Sequence, residues 1–199
     1  TKMSHLHFVT NEAAARRVRQ LGEDPARIHL VGNPALDVIK NLEPMDKAAV
    51  EGAIGLELRP KNLLITFHPE TLKDQPSAMP FTELLGALDA LGPDVGLIFT
   101  KPNADTHGRV LIGMIDGFVQ SHPNAVAQVS MGQRLYYSTM ALVNAVVGNS
   151  SSGLLEAPSF GIPTVNIGDR QRGRVRGESV IDVPADAKAI AEAIQKALA

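Results

Sequence analysis

An α/β fold built on a doubly wound parallel sheet is predicted by three observations. Short apolar clusters alternate with helical stretches along nearly the whole 199-residue chain. Most clusters lack strict in-and-out alternation, as expected of strands buried on both faces. The repeated β–α order then calls for right-handed crossovers, which put helices on both sides of a single sheet.

Strands are expected at residues 6–10, 28–32, 62–67, 95–100, 125–129, 142–148, 164–167 and 180–183. Helices are expected between them at 11–21, 45–54, 81–91, 106–120, 133–141, 153–160 and 186–198. Asn11 ahead of Glu12-Ala13-Ala14, and Asp186 ahead of the last helix, are side-chain caps that start those segments. Gly32-Asn33-Pro34 interrupts the chain after its first β–α–β unit, because the Pro34 ring disfavours helix at Asn33. A bend or domain boundary is expected there.

Composition narrows the function classes. Lys and Arg number 19 against 21 Asp and Glu, a balance that speaks against a nucleic-acid binder and its basic footprint. The absence of cysteine excludes disulfide scaffolds, thiolate zinc sites and cysteine nucleophiles. No apolar run is long enough to cross a bilayer, and Thr1-Lys2-Met3-Ser4-His5 lacks the apolar core and cleavage site of a signal peptide, so a cytoplasmic location is expected. His5, His7, His29 and His122 have no ligand-like spacing, and no metal site is expected.

The strongest local signal is the strand running into Gly148-Asn149-Ser150-Ser151-Ser152-Gly153, with a helix after it. Small residues allow close backbone approach to an anion, while hydroxyls and helix-start amides donate to phosphate oxygens. Glu156, in the first or second turn of that helix, would repel phosphate but could accept hydrogen bonds from paired sugar hydroxyls. Phosphate and ribose partners side by side suggest a nucleotide. A serine cap with a dipole-complementing glutamate accounts for the same residues. No Gly-Lys-Ser/Thr follows, so this is not a P-loop, nor is it a dinucleotide fingerprint.

Three other strand exits carry polar chemistry. Gly168-Asp169-Arg170-Gln171-Arg172-Gly173-Arg174-Val175-Arg176-Gly177 follows the strand at 164–167 and can share an edge with the serine loop. Alternate arginines would share one side if this segment is extended, and guanidinium forks suit diphosphates. Arg170, nearest the strand end, is the best ligand candidate. His68, in His68-Pro69-Glu70-Thr71, could donate to a phosphate or act as a general acid toward a leaving group; a capping or core-edge role is the alternative. Asn103, in Lys101-Pro102-Asn103-Ala104-Asp105-Thr106, is equally an ordinary turn residue.

These motifs together resemble the hydrolysing UDP-N-acetylglucosamine 2-epimerases of bacterial sialic-acid and legionaminic-acid pathways. The likeness runs through Thr1-Lys2-Met3-Ser4-His5, His68-Pro69-Glu70-Thr71, Asn103-Ala104-Asp105-Thr106, Gly148-Asn149-Ser150-Ser151-Ser152-Gly153-Leu154-Leu155-Glu156 and Asn166-Ile167-Gly168-Asp169-Arg170-Gln171-Arg172-Gly173-Arg174. It implies a glycosyltransferase-B-like fold of two Rossmann-like lobes, of which this chain would hold the C-terminal, UDP-binding lobe at residues 36–199 and the last β–α–β piece of the other at residues 1–35. By position, Ser150, Ser151 and Arg170 would hold the diphosphate of a UDP-sugar or UDP, and Ser152 and Gly153 of the same loop would also be substrate-binding. Glu156 would take the ribose hydroxyls, Asn103 would line the cleft, and His68 would support catalysis at the leaving-group side. No cofactor is implied. The family's acid/base carboxylates fall upstream of this chain, so the expectation is a fragment that keeps the UDP contacts, lacks turnover, and tends to self-associate through uncovered apolar surface. A glycosyltransferase donor lobe, a non-catalytic nucleotide-binding module and a flavodoxin-like scaffold are the competing readings.

Overall fold

The computed structural model describes residues 1–69, 78–103 and 106–199. The chain divides into two compact units, Thr1–Leu42 and Glu43–Ala199. In the first, β1 (His7–Val9) and β2 (Ile28–Leu30) pair in parallel, linked through α1 (Glu12–Gln20). Asn11 caps α1 as expected, its side chain accepting from the Ala14 N–H at 2.9 Å.

The break at Asn33-Pro34 is the start of a helix, α2 (Pro34–Lys40), that the sequence reading did not foresee. Proline at the first helical position loses nothing, since that N–H has no intrahelical partner anyway. Asn33 stays extended, as a residue before proline must, and its side chain accepts from the Ala35 N–H at 3.1 Å. The first unit therefore runs on to Leu42, past the boundary expected at residue 35.

The second unit contains, in order, α3 (Lys47–Ile54), β3 (Lys61–Thr66), α4 (Ala78–Asp89), β4 (Val95–Thr100), α5 (Thr106–Ser121) and β5 (Ala125–Gln128). There follow α6 (Gly132–Met140), β6 (Ala145–Gly148), α7 (Ser151–Leu155), β7 (Thr164–Ile167), β8 (Val180–Val183) and α8 (Ala187–Leu198). Six strands form one all-parallel sheet in the order β5-β4-β3-β6-β7-β8. Both faces are covered, and the pleat of β3 shows how. Leu63 and Ile65 point into a core with α4, α5 and α8 residues such as Phe81, Leu111 and Ile190. Leu64 points the other way, toward Val50, Ile54 and Met140 of α3 and α6. Every expected strand is present, and the sheet is the doubly wound one predicted.

Two local expectations are corrected. The helix placed at 153–160 starts earlier and is cut in two: α7 ends at Leu155, and a 3-10 turn, Ala157–Phe160, follows with Pro158 near its start. The arginine-rich segment is not extended but wound into turns, with Arg172 N–H donating to the Asp169 carbonyl at 2.8 Å and Arg174 N–H to that of Gln171 at 3.2 Å. The alternation argument, which needs an extended backbone, therefore does not apply to its arginines.

Strand order locates the crevice. From β3 the chain moves outward to β4 and β5, then returns to lay β6 on the opposite side of β3. Between the carboxyl ends of β3 and β6 the crossovers diverge, which is where open α/β sheets leave room for ligands.

Candidate functional site at the switch point

Thr66 of β3 is in register with Gly148 of β6, so the two strands deliver their exits side by side. Gly148 has φ +134°, and a Cβ there would lie 2.0 Å from the Thr66 carbonyl oxygen. Only glycine lets β6 leave the sheet this close to β3.

The next residue, Asn149, is fully buried and ties three loops together. Its N–H donates to the Thr66 carbonyl at 3.1 Å. Its side-chain oxygen accepts from the His68 N–H at 2.7 Å, while its amide nitrogen donates to the His68 carbonyl at 2.8 Å. Its own carbonyl accepts from Arg170 Nη1 at 3.0 Å and Gln171 Nε2 at 2.7 Å. The β3 exit, the serine loop and the turn after β7 are thereby fixed to one another. The buried amide satisfies backbone groups that would otherwise be orphaned at the strand end.

Ser150 is the N-cap of α7, with φ −77° and ψ 147°, and its hydroxyl accepts from the Ser152 N–H at 3.4 Å. Ser152 is buried, its hydroxyl 3.2 Å from Ser150 Oγ and 2.7 Å from the phenol of Tyr136 on α6. Ser151, half-buried at the first helical position, makes no side-chain hydrogen bond among the described residues. α7 has five residues, too short for a strong dipole, so hydroxyls and Arg170 carry the donor chemistry of this edge. Gly153 is small for a packing reason: a Cβ there would meet Thr164 Cγ2 at 2.6 Å, and Thr164 Oγ1 donates to the Gly153 carbonyl at 2.7 Å.

Glu156 lies just beyond the carboxyl end of α7, so complementing that helix's dipole is not its role. It is half-buried, and burial pushes its carboxyl above the ordinary carboxylate range. The phenols of Tyr136 and Tyr137 are also pushed up, chiefly by burial and secondarily by the Glu156 charge. A carboxylate held partly out of water is a strong acceptor for neutral hydroxyl donors.

Arg170 is exposed beside the serine loop, on the edge expected for it. Arg176 is engaged with Asp182 and with the Gln171 carbonyl at 3.3 Å, while Arg172 and Arg174 are exposed. Arg172 and Arg176 line, with Asn166, Asp169, Asp182 and the apolar Val183 and Pro184, a cavity beyond the carboxyl ends of β7 and β8. His68 is placed at the crevice by its two backbone bonds to Asn149. Asn103 is exposed past the end of β4, and among the described residues no hydrogen bond joins it to the serine loop. Glu70, Thr71, Ala104 and Asp105, which belong to the motifs around His68 and Asn103, lie outside the described residues. Among the described residues no group of three or more His, Asp or Glu side chains could hold a metal, and no helix is long and apolar enough to cross a membrane.

Asn149, Gln171 and Tyr136 were not singled out from the sequence. Each acts through partners distant in the chain: His68 lies 81 residues from Asn149. The one available signal was the polar Asn149 directly after a glycine at the end of a wholly apolar strand.

The profile of the UDP-N-acetylglucosamine 2-epimerase family matches residues 1–199. The GDP/UDP-N,N'-diacetylbacillosamine 2-epimerase (hydrolyzing) of Campylobacter jejuni is 39% identical over 183 residues, covering 92% of this chain and 47% of that protein. The polysialic acid biosynthesis protein P7 of Escherichia coli is 37% identical over 194 residues, covering 98% of this chain and 49% of the relative. The chain thus spans about half the length of the curated relatives it matches. Among solved structures, the UDP-GlcNAc 2-epimerase of Methanocaldococcus jannaschii, in complex with UDP-GlcNAc and UDP, superposes with a TM-score of 0.74 at 16% identity, over 99% of this chain and 55% of that one. That likeness is one of fold, the glycosyltransferase-B type of α/β architecture. The family profile over the whole chain and the Campylobacter relative point the same way, and the chain belongs to the hydrolysing UDP-N-acetylglucosamine 2-epimerase family.

Proposed function

We propose that this chain is the UDP-binding part of a hydrolysing UDP-sugar 2-epimerase, acting on UDP-N-acetylglucosamine or a related diacetamido sugar for sialic-acid-type biosynthesis. The observation that carries the reading is the Asn149 clamp. It sets the serine loop, Arg170 and the His68 exit on one sheet edge, at the position where the fold leaves a crevice.

Ser150, Ser151 and Arg170 offer hydroxyl and guanidinium donors to a diphosphate, and the Glu156 carboxylate accepts from ribose hydroxyls. Ser152 and Gly153 support this loop from below, through the Tyr136 bond and the contact with Thr164. In the reaction, a base removes the C2 proton while the bond from C1 to the diphosphate oxygen breaks, giving a glycal and UDP. Water then adds across the double bond, hydroxyl to C1 and a proton to C2 on the opposite face, and N-acetylmannosamine or its analogue is released. Donors already aimed at the diphosphate lower the barrier by stabilising the charge it gains as it leaves. His68 supplies a proton or a hydrogen bond on that side. The base that takes the C2 proton is assigned to no residue here, and Asn103 lines the cleft.

Calorimetric titration of UDP into this chain, beside a Ser151→Ala/Arg170→Ala double variant, tests the reading. Binding by the parent that weakens at least tenfold in the variant is expected, since two charge-directed hydrogen bonds are removed. No binding by a folded parent, or equal binding by the variant, overturns it.

A further inference from the structure

Beneath the serine loop runs a row of hydroxyls that the UDP contacts alone do not require. Tyr136 sits on α6 with its phenol 2.7 Å from Ser152 Oγ, and Ser152 Oγ lies 3.2 Å from Ser150 Oγ. Tyr136, Ser152 and Ser150 thus form a line from α6 to the rim of the crevice.

A hydroxyl owns one hydrogen, and this restricts what the line can do. When Tyr136 donates to Ser152, the Ser152 hydrogen is left for Ser150. Ser150 Oγ then accepts twice, from the Ser152 hydroxyl and from the Ser152 N–H at 3.4 Å, so its own hydrogen has only the crevice to turn to. In the opposite polarity Ser150 donates inward and presents lone pairs to the crevice, which repels an anion. We propose that Tyr136 is a positioning residue for the diphosphate: its phenol sets the polarity of the two serines and so makes Ser150 a hydrogen-bond donor toward the anion. The inference rests on the UDP-binding reading above and deepens it. Two features of the phenol suit the task. It is half-buried with Ser152 Oγ 2.7 Å away to take its hydrogen, and bonds in such a row reinforce one another when all point the same way.

Nothing in a packing role for Tyr136 requires its hydroxyl, and phenylalanine keeps the ring. In Tyr136→Phe the Ser152 oxygen loses its donor and can accept from Ser150 instead, drawing the Ser150 hydrogen inward. The test is UDP affinity by calorimetry on the 199-residue chain, in a cycle of Tyr136→Phe, Ser150→Ala and the double variant, with circular dichroism to verify folding. Tyr136→Phe is expected to weaken UDP binding about tenfold, the scale of one hydrogen bond to a charged group. In the Ser150→Ala background the same change is expected to have no effect, because the hydroxyl it acts through is gone. Ser152→Ala, which removes the very oxygen that would draw the Ser150 hydrogen inward, is expected to lose less UDP affinity than Tyr136→Phe, and adding Tyr136→Phe to it is expected to cost nothing further. UDP affinity within twofold of the parent in Tyr136→Phe overturns the proposal, as does an equal loss in both serine backgrounds. No UDP binding by the folded parent overturns the UDP reading itself, and the proposal with it.

Discussion

Replacing Asn149 by aspartate changes almost no atoms and reverses one hydrogen bond. In the parent, the side-chain oxygen receives the His68 N–H at 2.7 Å and the amide nitrogen gives a hydrogen to the His68 carbonyl at 2.8 Å. Asn149→Asp keeps the first bond and turns the second into two oxygens facing each other at a fully buried position. The cost is a broken hydrogen bond plus burial of a carboxylate, offset in part by the nearby Arg170 guanidinium. A loss of about 3 kcal/mol at pH 8 is expected from these effects together. Protonation restores a donor, because the neutral carboxyl can give its hydrogen to the His68 carbonyl. The introduced group therefore holds its proton more tightly folded than unfolded. Relative stability then falls as pH rises from the ordinary aspartate value, about 3.9, through the higher folded one. Urea unfolding followed by circular dichroism, on parent and variant at pH 5 and pH 8, reads the difference. A destabilisation below about 0.5 kcal/mol at pH 8, or one equal at both pH values, would refute the clamp as the organiser of this edge.

Three further outcomes are expected. Gly148→Ala combines a left-handed backbone with a Cβ against the Thr66 carbonyl and should cost about 2–5 kcal/mol in urea unfolding; a cost under 1 kcal/mol contradicts the geometry. Glu156→Gln should raise the melting temperature at pH 7 and leave it nearly unchanged near pH 4, while weakening UDP binding. Its folded carboxyl sits above the ordinary range, so ionisation disfavours the fold once pH exceeds the unfolded value, and a lower melting temperature at pH 7 would reverse that sign. His122, paired with Asp89 at 2.9 Å and stacked on Phe118, has its pKa raised chiefly by the Asp89 hydrogen bond. Its contribution to stability is present below the unfolded value and lost as pH rises through the folded one. Asp89→Asn should lower the NMR titration midpoint of His122, and an unmoved midpoint would assign the shift elsewhere.

Periodicity made the sheet legible from sequence because strands buried on both faces carry adjacent apolar residues without alternation, as Leu63-Leu64-Ile65 of β3 and Ala145-Val146-Val147 of β6 do. α2 was missed because proline was taken as a break, although its missing N–H costs nothing at a helix start. The arginine turn was misjudged because spacing along a sequence shows a shared side only if the backbone is extended. For the candidate site, Ser150 and Arg170 were readable from their place after strand ends. Asn149, Gln171 and Tyr136 were not, since what they do depends on which loops the strand order brings together. A buried asparagine bonding a histidine backbone 81 residues away has no local signature.

The strand order also has a consequence for how the crevice comes into being. β3, β4 and β5 are consecutive in the chain and neighbours in the sheet, so that half can assemble from local β–α–β pairings as synthesis proceeds. β6, β7 and β8 form a second such series, and within the sheet the two are joined by the pairing of β6 with β3. The crevice is the seam of that meeting, and Asn149 closes it. Until the two halves dock, there is no edge for the serine loop and His68 to share.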